Sequence, residues 1–309
     1  MAEGEREPDG PEVVVVGSIH QDLILEVDRF PAPGETVLAR GHVRAPGGKG
    51  ANQAVAAARL GARTAMVGQV GDDPDGAAMR SRLATEHLDI GGVLVHPSLP
   101  TGTAAVTVDV HGENSIVASA GASGALTAED VRRQAGSIDA AKVTLLQLEI
   151  DLDAVIAAAE VATGTVVLNP APVRHLPMSL LEQVDVLVPN RGELSQLLEH
   201  DEVPASLAEV ESLARKLPIA GSVVVTLGGD GALVLTDGEA THVPAPKVEV
   251  IDTTGAGDAL CGALAQQLAA GVDLTAAVER AVQAAALSTT RMGAQTALPD
   301  RAELQALQR

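Results

Sequence analysis

Two kinds of hydrophobic run recur along the chain, and their order sets the fold class. Residues 12–17 (EVVVVG) are an unbroken β-branched run closed by glycine, the pattern of a strand covered on both faces in a parallel sheet. Beyond its carboxyl end come Ser18, Ile19, His20, Gln21 and Asp22, polar residues mostly, where open α/β sheets place ligands. Segments 23–27, 35–40 and 42–44 alternate apolar with polar positions and are split by PAPG at 31–34, which predicts short antiparallel strands outside the main sheet. A second hairpin is predicted at 102–108 and 115–118, joined by DVHGEN, and the two patches are expected to form one small sheet. Between them lie an alanine-rich helix ending near Leu60, a strand at 64–70 and a helix at 75–87. From Leu126 onward helix and strand patterns alternate: strands at 142–148, 165–168, 186–188 and 222–227, helices at 152–163, 193–198, 207–217, 259–270 and 276–287. That alternation predicts an α/β three-layer sandwich, a mostly parallel sheet with helices on both faces. No repeat or linker divides it, so one domain is expected over 11–309, preceded by a disordered tail at 1–10.

Composition narrows the functions such a fold can have. The 309 residues include one Phe (Phe30) and no Tyr or Trp, so the core is aliphatic and aromatic platforms for stacking bases are missing. With 41 acidic and 21 basic side chains the formal charge is −20, which repels polyanions and argues against nucleic-acid or anionic-membrane partners. Cys261 is the single cysteine, which rules out an intrachain disulfide and a multi-cysteine metal site; its apolar helical setting suits packing. The eight His show no metal-ligand spacing. MAEGEREPDG at the start has no apolar signal core and no later stretch is an uninterrupted span, so a cytoplasmic protein is expected.

The chemistry concentrates at two glycine-rich turns that each open a helix. In DTTGAGD (252–258), Gly255 and Gly257 permit a tight turn whose amides face one way at a helix start. Orphan N–H groups and the aligned peptide dipoles make such a turn an anion site. Asp258, a carboxylate beside it, makes sense as the group that takes a proton from a hydroxyl attacking a phosphate. In APGGKGANQA (45–54) Lys49 stands in a glycine turn that lacks the GxxxxGK[ST] spacing of a P-loop, while Asn52 and Gln53 are polar in the first turns of an otherwise apolar helix. Other strands end in Glu149, NPAP (169–172), PNRGE (189–193) and TLGGDG (226–231), and strand ends of one parallel sheet share an edge.

GGKGANQA and DTTGAGD, in that order, together with QLE (147–149), LNPAP (168–172), PNxxE (189–193) and GAQ (293–295), resemble the signature regions of the ribokinase, or PfkB-type carbohydrate kinase, family over about 13–299. The resemblance implies the ribokinase-like sandwich with a small antiparallel β lid built from about 20–45 and 101–120, and a homodimer paired through the lids. It implies an ATP-dependent sugar kinase with D-ribose as acceptor and D-ribose 5-phosphate as product. 2-Deoxyribose, another sugar or a nucleoside are alternatives, as is a non-catalytic sugar-sensing protein. Carried over by residue, Asp258 is the general base, and the amides of Gly255, Ala256 and Gly257 hold the transferring phosphoryl group. Asp22, Gly48, Lys49, Asn52 and Glu149 bind the sugar, with His20 where the family commonly has Asn. Asn190, Thr226, Gly228, Gly231 and Gln283 border the nucleotide, with Gln283 where a His is common. Glu193 serves magnesium through water. Asp252 and the carbonyls of Thr254, Ser288, Arg291 and Gly293 make a potassium site, where Ala297 replaces a frequent serine.

Overall fold

Four valines form β1 (Val13–Val16), and each is wholly buried, Val13 and Val15 in one apolar core, Val14 and Val16 in another. A strand needs apolar side chains on both faces only when both are covered, and here they are. The structure, a computed structural model, describes residues 10–111 and 113–307. The expected N-terminal tail therefore lies, except for Gly10, outside the described residues.

The further strands are β2 (His20–Glu26), β3 (Gly41–Gly47), β4 (Thr64–Gly71), β5 (Asp89–His96), β6 (Thr103–Val108), β7 (Asn114–Ser119), β8 (Val143–Leu146), β9 (Thr165–Leu168), β10 (Val186–Leu187), β11 (Ser222–Thr226), β12 (Ala232–Thr236) and β13 (Glu239–Val243). Among the described residues the main sheet has nine strands, ordered β13-β12-β11-β10-β9-β8-β1-β4-β5. Every pairing from β5 to β11 is parallel, and β12 and β13 add an antiparallel edge. Helices Lys49–Arg59, Ala256–Ala269 and Leu274–Ser288 cover one face through Val55, Leu260, Leu264 and Val278. Helix Leu152–Val161 covers the other through Ala154, Val155 and Ala158. The chain leaves β1 toward β4 on one side and returns to β8 on the other, so the carboxyl end of β1 is the switch point where ligands bind in such sheets.

The second sheet has the order β3-β2-β6-β7 and joins the two predicted hairpins. β2 with β3 and β6 with β7 are antiparallel, but β2 and β6, which join the hairpins, run parallel, so the lid is mixed rather than wholly antiparallel. Residues 35–40 are not a strand. Glu35 is held by Arg29 and by its own amide to the Ala32 carbonyl, and Leu38 is 86% exposed, so that alternation has no face to bury. The lid strand instead starts at Gly41 and takes in the first glycine of GGKG, Gly47, opposite His20. β5, β12 and β13 are additions to the expected pattern; β5 and β13 are the exposed edges of the main sheet, and β12, next to β13, is buried except for its last two residues.

Candidate active site

Asp258 stands in the first turn of helix Ala256–Ala269, which begins at Gly255 with a left-handed φ of 77°. A side chain at 255 would be strained there, and its Cβ would come within 3.0 Å of the Ala294 backbone. The Ala256 amide closes the turn by donating to the Thr253 carbonyl at 3.2 Å. Gly255 and Gly257 occupy helix-start positions whose amides have no helical acceptor.

The Asp258 carboxylate is 8% exposed and is gripped from the helix packed alongside: Asn52 Nδ2 donates to Oδ2 at 2.8 Å and Gln53 Nε2 to Oδ1 at 2.9 Å. Gln53 also reaches Asn169 Oδ1 at 3.3 Å and accepts from Gln147 Nε2 at 2.6 Å, which ties the carboxylate to the ends of β8 and β9. Helix Lys49–Arg59 can lie this close because a Cβ on Gly262 would meet the Gln53 carbonyl at 2.5 Å. Burial pushes the Asp258 carboxyl above its ordinary value, and the Lys49 ammonium with the two amides holds it back. Burial alone would lower the Lys49 ammonium, but Asp258, Glu149 and Glu193 outweigh it and keep Lys49 charged.

At the end of β8, Glu149 Oε2 accepts from Ser18 Oγ at 2.5 Å and from the Lys49 amide at 2.9 Å, placing a carboxylate at the N-terminus of helix Lys49–Arg59. Gly48 turns there with φ 88°, and its missing side chain leaves room for the His20 amide, 2.8 Å from where a Cβ would sit. Asp22 on the lid lies against Gly47, where a Cβ would overlap its Oδ2, and Oδ1 accepts from the Ala104 amide at 3.1 Å. Burial raises the Asp22 carboxyl, against the pull of His20 and the Ala104 amide. His20 is 4% exposed, and among the described residues its Nε2 and Asn52 Oδ1 are buried without a hydrogen-bond partner. Such atoms cost about 1–3 kcal/mol each until a ligand hydroxyl pairs with them.

Two clefts meet at Asp258's helix. The smaller, about 210 Å³, is lined by Lys49, Asn169, Asn190, Glu193, Gly255 and Asp258 among others. The larger, about 490 Å³, runs past Gly228, Gly231, Val250, Ala256 and Val282, and Thr226 and Gly257 border both. The larger has the apolar walls of a pocket for a flat ring, and the smaller has the charges. Asn190 and Glu193 cap each other's backbone at the start of helix Arg191–Leu197, each contact 2.8 Å. Burial raises the Glu193 carboxyl, partly offset by the Asn190 amide and Lys49. Glu193 and Asp258, two desolvated carboxylates on one small cleft, suit a hydrated divalent cation brought in with phosphates. Gln283 is half buried and is not among the residues lining the larger cleft, to which its helix gives Val282, Ala285 and Ala286.

Behind the turn, Asp252 Oδ1 accepts from Thr254 N at 2.9 Å and Thr254 Oγ1 at 2.7 Å, and Oδ2 from Gly293 N at 2.7 Å. Burial opposes the charge on Asp252, yet these donors prevail and hold its carboxyl below the usual range. Ser288 Oγ donates to the Ala285 carbonyl, Arg291 pairs with Glu303 at 2.8 Å, and Ala297 is fully buried. A cation here would be held by Asp252 and main-chain carbonyls, the donor set a monovalent ion accepts. Among the described residues no cluster of three or more His, Cys, Asp or Glu could hold a metal. Cys261 is buried, and burial raises its thiol.

The residues that sequence reasoning left off its site are Ser18, Gln53, Gln147 and Asn169. Each carried a signal: Gln53 is polar in an apolar helix, and the others sit where a buried strand ends.

Residues 11–301 match the profile of the pfkB family carbohydrate kinases. The ribokinase of Schizosaccharomyces pombe is 36% identical over 305 residues, spanning 94% of this chain and 96% of its own. The deoxyribokinase of Salmonella typhimurium is 37% identical over 295 residues, spanning 93% of this chain and 95% of its own. Among solved structures, Arabidopsis thaliana ribokinase complexed with ribose and ATP superposes with a TM-score of 0.86 at 31% identity, covering 96% of this chain and 98% of that one.

Proposed function

The chain belongs to the pfkB family of carbohydrate kinases, and from that premise we propose that it is an ATP-dependent sugar kinase that converts D-ribose to D-ribose 5-phosphate. The observation that carries this reading is the Asp258 carboxylate, buried, held by Asn52 and Gln53, and set beside the anion turn where the two clefts meet.

In this reading the nucleotide occupies the larger cleft, with Thr226, Gly228 and Gly231 along it and its terminal phosphate at Gly255 and Gly257. The sugar lies between the lid and helix Lys49–Arg59, among Asp22, His20, Gly48, Asn52 and Glu149. Asp258 takes the proton from the sugar's primary hydroxyl as its oxygen bonds to the γ-phosphorus and the bond to ADP breaks. Its raised proton affinity makes it a better base than a solvated carboxylate. Lys49 balances the charge that gathers on the phosphoryl oxygens. Glu193 and Asn190 would hold magnesium through water, and the ion would screen the phosphates as they approach the carboxylates. Asp252 and the carbonyls of Thr254, Ser288, Arg291 and Gly293 would hold potassium. We further assign the protein to the cytoplasm, as a homodimer paired through its lids, with no nucleic-acid partner; no described helix is long and apolar enough to cross a membrane. The half-buried Leu23 and Leu25 lie on one face of the lid and Val106 and Val108 on the other, so pairing through one face would cover one of these two pairs.

His20 supports a second reading, with 2-deoxyribose as acceptor. Its unpaired Nε2 offers one donor or one acceptor, where the amide expected there offers both. ADP release measured with ATP, magnesium and a panel of pentoses and nucleosides separates the readings. D-Ribose with the highest kcat/KM upholds the first, 2-deoxyribose the second, and turnover of nucleosides alone or of nothing defeats both.

A further inference from the structure

Helix Lys49–Arg59 carries Lys49, Asn52 and Gln53 at one end, and at the other Arg59, a residue with no part in the chemistry above. Arg59 is only 22% exposed and every nitrogen of its guanidinium is used. Nε and Nη2 grip the two oxygens of Glu86 at 2.8 and 2.7 Å, while Nη1 donates to the carbonyls of Gln295 and Leu298, both at 2.9 Å. Gln295 is itself 1% exposed and accepts from Arg82 Nε at 3.1 Å. The segment pinned in this way is the one that meets the anion turn. Gly293 N donates to Asp252 Oδ2 at 2.7 Å, and Ala294 packs against Gly255, its Cα 3.0 Å from where a Cβ would sit. Asp252 in turn holds Thr254, the residue before that glycine.

We propose that Arg59 is a positioning residue for phosphoryl transfer: its fork fixes residues 293–298, and they fix the anion turn through Asp252 and Gly255. One helix then sets both halves of the reacting geometry, the base through Asn52 and Gln53 and the phosphate cradle through Arg59. Lysine cannot replace arginine here, because a single ammonium cannot hold a carboxylate with two parallel bonds and still reach two carbonyls in the plane of the fork. Misplacement of reacting groups by about 1 Å costs on the order of 10²-fold in rate, so slackness of a fraction of that is measurable.

The inference rests on the kinase reading, and its test uses the full chain. Arg59→Lys, Arg59→Met and Glu86→Gln are compared with wild type for kcat, for KM of ATP and of ribose, for the thermal midpoint, and for calorimetric affinity toward a non-hydrolysable ATP analogue and toward ribose. Arg59→Lys is expected to lose about tenfold or more in kcat and to bind the analogue about tenfold more weakly, with ribose affinity within about twofold of wild type. Glu86→Gln keeps the bonds to Gln295 and Leu298, so it is expected to lower the thermal midpoint while kcat stays within about threefold. Should Arg59→Met fail to fold, Arg59→Lys and Glu86→Gln still decide. An Arg59→Lys protein with a lower midpoint but near-native kcat and analogue affinity overturns the proposal, as does parallel weakening of analogue and ribose. Failure of the kinase reading looks different: wild-type protein that does not bind the analogue.

Discussion

Replacing Gln53 with Met removes one of the two neutral donors on Asp258 at nearly constant side-chain length. Gln53 Nε2 sits 2.9 Å from Oδ1. A hydrogen bond to a charged group is worth about 1.5–3 kcal/mol, about tenfold to a hundredfold in the proton equilibrium it biases, so its loss is large enough to move the titration of Asp258 measurably. The direction follows from what the bond favours. It stabilises the carboxylate, so its loss favours the protonated form and raises a pKa that burial has already raised. Because the base acts deprotonated, the acid limb of kcat/KM for ribose must move to higher pH. Well below that limb the variant should be at least about tenfold slower than wild type, and on the alkaline plateau the two should converge to within about threefold. The wild-type limb alone cannot assign the group, since burial also raises the carboxyls of Asp22 and Glu193. Gln53 does not hydrogen-bond either of those, so only Asp258 predicts the displacement. Gln53 also pairs with Gln147 and Asn169, and stranding them should cost about 1–3 kcal/mol of stability, read from the thermal midpoint. The assay is ADP release at saturating ATP and magnesium from about pH 5 to about pH 9. A limb that coincides with that of wild type, or falls below it, refutes the assignment of Asp258 as the titrating base.

Four further outcomes are expected. Asp258→Asn should lower kcat by at least about 10²-fold with nucleotide affinity little changed; near-normal kcat would remove Asp258 from the reaction. Activity in potassium should exceed that in a bulky organic cation, since the proposed ligands besides Asp252 are backbone carbonyls that Ala297 does not disturb; equal rates would mean no such site. His20→Asn should change the ratio of kcat/KM for ribose over 2-deoxyribose, and an unchanged ratio would show that His20 does not read the 2-hydroxyl. Asp73→Ala should cost about 2 kcal/mol, because one carboxylate caps Gly76 at 2.7 Å and takes the Thr101 hydroxyl and amide at 2.6 and 2.7 Å. Burial works against the charge on Asp73, but those donors hold its folded pKa below the usual value, so its stabilisation is complete above about pH 4 and lost as pH falls through the folded pKa. Denaturant titrations of both proteins at neutral and acidic pH should converge on the acidic side.

The interior of the sheet was legible because a strand covered on both faces has one pattern available to it. VVVV at β1 can only be buried twice over, and TVVL at β9 reads the same way. Edges obey weaker rules. β5 (DIGGVLVH) is half exposed and its two glycines split Ile90 from Val93, Leu94 and Val95, so its apolar run shrinks to three residues. The β12–β13 hairpin did have a local signal in Asp237-Gly238, both at positive φ between two strands, the pair that two-residue hairpin turns favour. Segment 35–40 misled for the opposite reason: its alternation is real, but no layer lies over it to make Leu38 an inward residue. The parallel pairing of β2 with β6 could not be seen either, because hairpin signals fix neighbours in sequence and say nothing about how two hairpins meet.

For the site, glycine and polar residues at strand and helix ends were enough to find the atoms but not the bonds between them. Asn52 and Gln53 are adjacent in sequence, and nothing in a chain says that two successive amides on a helix will converge on one carboxylate more than 200 residues later. The arrangement has a physical logic visible only once it is built. The general base proposed here must be held still and yet remain basic. A bidentate arginine would fix Asp258 but, as nearby opposite charges do, would pull its pKa down and so cost it basicity. Amides fix it with a smaller pull, burial pushes the other way, and Lys49 acts on it through space with no hydrogen bond between them. The fully charged fork of Arg59 is found instead at the far end of the same helix, where it holds only Glu86 and backbone carbonyls and rigidity can be had without altering any reacting group.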